Sequence, residues 1–330
     1  MIATNNGSFP WRGSRRAAEI DAARAGHLRG AAPGAELEAL FDQATQRAIE
    51  EQARAGLDLL TDGMIRRSDP IGPFIGRLQG MSVGDRLVRL PGDGAECRLP
   101  IAETEVAWRE PILVEDYLFA SRGSPKPVKV VLPGPYTVAF LAEDRAYGDP
   151  ASLAMALAFA VNQELRALQA AGAAFLQIDE PALLERREDF PIFTRIWEVL
   201  GRGITAVLCL HLAGGRLEEI YPGVARLKRL GCLSVDCLAG RASLRLLEEE
   251  PVPESLQLGL GIVDGRSEHV EDPEAIATTI AGIRGLPPHD RIHLGTASDL
   301  GGLPPEVAAA KLRSLAQAAR LLEGGSAARR

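Results

Sequence analysis

Polar side chains that can do chemistry recur at one kind of place in this chain: the end of a short apolar, β-branched run, or just past it. They are Ser8, Asp62, Asp179 with Glu180, His211, Asp236, Asp264, and Ser298 with Asp299. One carboxylate at a strand end has a structural use, accepting from the free N–H groups of the next helix. Several gathered at one mouth form a ring that can bind a cation, an amine or a metal, or move a proton at a shifted pKa. His211 ends the apolar stretch ITAVLCLHL. Residues two apart on a strand share a face, so Cys209 and His211 point the same way. That pair can contribute to a zinc site; the alternative is a buried imidazole held by one hydrogen bond. Asp236 and Cys237 are neighbours and face opposite ways, so Asp236 is the one able to join His211.

Eight such runs can be counted, over 2–9, 57–63, 128–134, 174–179, 204–212, 232–236, 256–264 and 291–296. Between them lie stretches of helical period at 37–55, 150–171, 216–230, 241–249, 273–283 and 304–322. The alternation predicts an α/β fold, a single (β/α)8 TIM barrel, whose active site is at the C-terminal ends of the strands. Asp149-Pro150, Asp272-Pro273 and Leu303-Pro304 place proline near helix starts, and Gly56, Gly172 and Gly231 fall where helices should stop. The long link after the second run contains PGDGAE within 86–99, which reads as a β-hairpin inserted above the barrel. The expected domain is 1–323, with 324–330 a frayed tail.

Composition agrees with a folded, ordinary protein. The 330 residues are 46% hydrophobic and 25% charged, which disfavours disorder and coiled coil. A net charge of −7 argues against a surface for nucleic acid. Four cysteines without a CxxC pair suit a reducing cytoplasm better than a disulfide scaffold. The N-terminal stretch has no apolar run of the signal-peptide kind, and no apolar run reaches the roughly 18 residues needed to span a bilayer. The expected partner is a small-molecule substrate. Ala- and Leu-rich helix faces also permit a homodimer or a partner protein.

The strand-end motifs resemble the C-terminal catalytic barrel of cobalamin-independent methionine synthase and its short single-barrel relatives. They run in order along the chain: GSFP, GLDLLTDG followed by RRSD, PGPYT, LQIDEPAL, the His211 strand, LSVD, GLGIVDGRS and SDLGGL. The resemblance implies transfer of a methyl group from methyltetrahydrofolate to the thiolate of homocysteine. It also implies zinc, because a free thiol is mostly protonated at neutral pH and a coordinated one is not. Carried over position by position, the family's His ligand is His211, its first Cys is Ala213, its Glu is Asp236 and its last Cys is Leu300. The ligand set is therefore incomplete, and Cys209 would have to join His211 and Asp236. The family's ammonium-binding Glu falls at Met64, its catalytic His at Arg266, and its folate-stacking Trp near Leu141. Ser8, Asp179 and Asp264 are retained.

The expected function is thus methyl or other one-carbon transfer to a small thiol or amino-acid acceptor, with Ser8, Met64, Asp179, Glu180 and Arg266 binding substrate. A folate donor is weakly supported. The competing expectation is a metal-free lyase or decarboxylase acting on an anion, with Arg266 orienting it and Asp264 or Asp179 as acid or base. Arg66 and Arg67 would add to an anion site, one of them being better suited to a scaffold role. A third expectation is a ligand-binding barrel without chemistry. Arg266 has its own alternative, pairing with Asp264 or Asp236.

Overall fold

A computed structural model of the chain describes residues 1–10, 18–22, 34–92, 94–239 and 241–327. Ten strands occur in chain order: β1 (Ile2–Thr4), β2 (Gln79–Arg89), β3 (Glu96–Ala107), β4 (Val130–Pro133) and β5 (Glu143–Asp144), then β6 (Phe175–Asp179), β7 (Val207–Leu212), β8 (Cys232–Asp236), β9 (Gln257–Val263) and β10 (Ile292–Thr296). Seven of them form one parallel sheet in the order β1-β10-β9-β8-β7-β6-β4. These strands are short and buried almost throughout, as strands are when both faces of a parallel sheet are covered. The sheet curls, giving a TIM-barrel-like architecture.

The run at 57–63 lies between the two edge strands, β1 and β4. It contributes two isolated parallel bridges, Thr4 with Leu59 and Leu60 with Val128, instead of the strand expected there. The Gln52 side chain explains the shortness. Its amide accepts from the Thr61 N–H at 3.1 Å and donates to the Thr61 carbonyl at 3.0 Å, taking the main-chain groups a longer ladder would use.

Helices at Ala35–Ala55, Pro150–Ala170, Arg241–Glu249, Pro273–Ala281 and Pro305–Ala327 match the helical stretches. The Asp-Pro pairs start their helices where expected, and Asp149 and Asp272 also cap them through side-chain oxygens. The stretch 216–230 departs from expectation and forms two short 3-10 turns, Leu217–Glu219 and Val224–Arg226. Pro222 between them has no N–H to donate and restricts the residue before it. The last helix runs past Gly324, and residues 328–330 of the expected tail lie outside the described residues. The hairpin is present and longer than expected: β2 and β3 pair antiparallel, with β5 added beside β3. No helix among the described residues is long and apolar enough to cross a membrane.

The strand interiors are layered. Leu59, Phe175, Cys209 and Cys232 form an apolar plug. Two residues further along β6 comes Gln177 and two further Asp179, so polarity rises toward the C-terminal mouth.

Candidate functional site

A small cavity of about 70 Å³ opens at the C-terminal end of the parallel strands. Asp179 and His211 stand in register on the adjacent strands β6 and β7, and both line it. Asn6, Ser298 and Asp299 come from the loops after β1 and β10. Leu90 and Ala95, from the tip of the β2–β3 hairpin, also line it, so the inserted hairpin covers the mouth. Close approach fixes that cover. A Cβ on Gly92 would lie 2.3 Å from the Ala213 carbonyl, and one on Gly214 would lie 2.3 Å from the Gly92 Cα.

The floor of the cavity is a polar network inside the barrel. Asn6 donates through Nδ2 to the Thr296 carbonyl at 2.8 Å and accepts at Oδ1 from the Lys129 ammonium at 2.9 Å. Gln177 donates to the Asn6 carbonyl at 2.8 Å and to Asp179 Oδ1 at 2.7 Å. Burial pushes the Lys129 pKa down to about 8. His211 Nδ1 lies 3.0 Å from Ser234 Oγ, and burial, helped by the Lys129 charge, pushes the His211 pKa down to about 3. His211 is therefore a neutral imidazole near pH 7. Neither Asn6, Lys129 nor Gln177 was anticipated. The signal was available, since a polar residue at an inward position of an apolar strand needs a buried partner.

The sequence-derived candidates separate into those that reach the cavity and those that do not. Asp179, His211 and Met64 line it. Ser8 stands behind it, donating through Oγ to Asp299 Oδ1 at 2.7 Å. Glu180 is a correction. It is fully buried and faces the helix Pro135–Leu141, where its oxygens accept from Tyr136 N at 3.0 Å, Thr137 N at 2.7 Å and Thr137 Oγ1 at 2.7 Å. It holds the PGPYT turn and has no face left for substrate.

Arg266 and Asp264 are corrected as well. Arg266 Nε donates to Asp264 Oδ1 at 2.7 Å and Nη1 to Asp236 Oδ2 at 3.3 Å, and none of the three lines the cavity. Burial alone would raise the Asp264 pKa, yet the Arg266 guanidinium and N–H hold it below the usual carboxylate range. The cation pairs with both acids, which is the alternative the sequence offered for Arg266. The two arginines after Met64 also part. Arg66 is bound by Glu38, Asp42 and Asp116 on the outer side, whereas Arg67 is buried and lines the cavity.

The residues present do not fit the zinc that the resemblance implies. Asp236 is spent on Arg266, on the N–H groups of Leu238 and Ala239 at 2.7 and 3.1 Å, and on that of Gly214 at 3.3 Å. Cys209 is a layer deeper than His211, in the plug beside Cys232, and burial raises its thiol pKa well above the ordinary value. Ala213 and the fully buried Leu300 offer no donor. No group of three His, Cys, Asp or Glu among the described residues is arranged to hold a metal ion, so His211, Asp236 and Cys209 do not come together as a site.

Comparison with known proteins places this geometry. Residues 1–321 match the family described as the cobalamin-independent synthase catalytic domain. A methionine synthase of Saccharolobus solfataricus is 29% identical over 297 residues, covering 90% of this chain and 88% of that protein. One of Sulfurisphaera tokodaii is 26% identical over 301 residues, covering 90% and 86%. Among solved structures, a B12-independent methionine synthase from Shewanella sp. W3-18-1 in complex with selenomethionine superposes with a TM-score of 0.84 at 21% identity, covering 99% of each chain. With the family match running from the first residue into the last helix, the chain belongs to the cobalamin-independent synthase catalytic domain family.

Proposed function

We propose that this chain transfers a methyl group to a small thiol or amino-acid acceptor such as homocysteine, seated in the cavity at the strand ends. The observation that carries the reading is the in-register pair Asp179 and His211, lining one cavity in a chain whose family match is continuous over residues 1–321. Residues 59–60 are read as the eighth strand of a closed (β/α)8 barrel, because their bridges join both edges of the sheet.

Asp179 is held by Gln177 and offers its carboxylate to an acceptor's ammonium. His211 is neutral, and its Nε2 makes no hydrogen bond among the described residues, so in the tautomer whose Nδ1–H donates to Ser234 the ring can accept from a thiol S–H at Nε2. The hairpin over the mouth keeps water from the sulfur. Asn6 and Lys129 brace the floor beneath Asp179 through Gln177.

Methyl transfer from labelled methyltetrahydrofolate to homocysteine, with metal analysis of the same preparation, tests this reading. Labelled methionine is the supporting result; homocysteine left unmethylated by protein that binds it contradicts it. A second reading, a metal-free lyase or decarboxylase, is favoured by Ala213 and Leu300 at two positions where thiol-activating zinc would be held. The same assay separates the two, because a lyase consumes its substrate without a methyl donor.

A further inference from the structure

Arg67 is a buried cation with no carboxylate in ion-pair contact among the described residues; Asp116 acts on it only through space. It is 7% exposed and lies between the mouth cavity and the outer groove that holds Asp116, lining both. Its Nη1 donates to the Val131 carbonyl at 2.7 Å, which anchors the guanidinium on β4. Its Nε is buried without a hydrogen-bond partner. Among the described residues no carboxylate forms an ion pair with it, although Arg66 beside it pairs with Glu38, Asp42 and Asp116. Asp116 lies on the outer side of Arg67, and its carboxylate is 3.3 Å from Arg66 Nε.

A buried charge is normally paired, since leaving it unpaired costs several kcal/mol. A guanidinium fork matches a carboxylate with two parallel hydrogen bonds. The rest of the cavity narrows the ligand further. Met64 gives an apolar wall, while Asp179 and Asp299 are negative and oppose a simple anion. A molecule carrying a carboxylate at one end and a positive group at the other matches the signs of charge in this lining.

We propose that Arg67 is the carboxylate-binding residue of this cavity and sets its specificity for small amino acids over the matching amines. The inference rests on the cavity being the acceptor site, but it makes no use of methyl transfer or of a thiol. Its test therefore uses ligands that lack both. In the unmodified protein, calorimetric titration compares 2-aminobutanoate with 2-aminobutanamide, which keeps the ammonium and lacks the carboxylate charge, with inorganic phosphate as a third ligand. The carboxylate is expected to bind at least about tenfold more tightly than the amide, a difference of about 1.4 kcal/mol. In Arg67→Met that preference disappears while binding of the amide is kept, and in Arg67→Lys it is partly restored. Equal binding of acid and amide by the unmodified protein overturns the proposal, as does a preference that survives in Arg67→Met. Binding of phosphate with no response to 2-aminobutanoate overturns the carboxylate assignment. Failure of the methyl-transfer assay with an Arg67-dependent preference intact would remove the transferase reading and leave this one standing.

Discussion

The Oγ of Ser8 donates to Asp299 Oδ1 at 2.7 Å, joining the loop after the first strand to the loop after the last. Asp299 also accepts from Ser8 N at 3.2 Å and Gly301 N at 2.5 Å, so a carboxylate facing the cavity is held from both ends of the chain. Ser8→Ala removes one charge-assisted bond and is expected to cost about 1.5 kcal/mol of stability, measured by urea denaturation. Acceptor binding should weaken with it. An unchanged midpoint together with unchanged binding would show that Asp299 does not depend on Ser8.

Glu180 and Gly134 are expected to behave as one unit. Glu180→Ala leaves two buried N–H groups and a hydroxyl without their acceptor, which costs about 3 kcal/mol or more. A Cβ on Gly134 would lie 2.0 Å from Glu180 Cδ, so Gly134→Ala also destabilises the intact protein. In the Glu180→Ala background the same glycine substitution should cost much less. Strictly additive losses in this double-mutant cycle would mean that the two residues do not meet as described.

Arg266 provides a contrast with Arg67. Because its guanidinium is occupied by Asp264 and Asp236, Arg266→Ala should leave 2-aminobutanoate affinity within about twofold of the parent, a change of less than 1 kcal/mol. A loss as large as that of Arg67→Met would return Arg266 to the ligand site.

The buried His211 gives acid sensitivity of a defined sign. Its folded pKa of about 3 lies below the ordinary value of 6.5, so the unfolded chain binds the proton first as pH falls. The stability that His211 contributes is present above pH 6.5 and is lost as pH falls toward 3. In that window the parent should lose about 1 kcal/mol per pH unit more than His211→Asn, read from denaturation midpoints at several pH values. Parallel curves for the two proteins would contradict the burial of a neutral ring.

Local signals made much of this fold legible. The run 232–236 is a strand over those same residues, and the Asp-Pro pairs at 149–150 and 272–273 start helices as expected. The helix expected over 216–230 contained its own breaker, Pro222-Gly223, which periodicity alone overrode. At the site, Asp179, His211 and Met64 could be placed because strand ends of a parallel barrel share one mouth. The choice between Arg67 and Arg266 was not legible. Each follows a strand-end acid closely, and what separates them is that Asp236, 30 positions from Arg266, completes its neutralisation, while Arg67 turns inward to Val131 on another strand. Lys129 was hidden for a related reason: its charge reads as the solvent end of a strand until Asn6, 123 positions away, is seen to accept from it.

In the proposed function, Asp179 and its neighbours hold an amino-acid acceptor in the strand-end cavity without help from zinc. Titration of homocysteine into chelator-treated protein, compared with Asp179→Asn, is the decisive measurement. Chelation should leave binding intact, and Asp179→Asn should weaken it by about tenfold or more, the loss of at least about 1.4 kcal/mol expected for one charge-assisted contact. Binding that vanishes on chelation, or that is the same in Asp179→Asn, would contradict it.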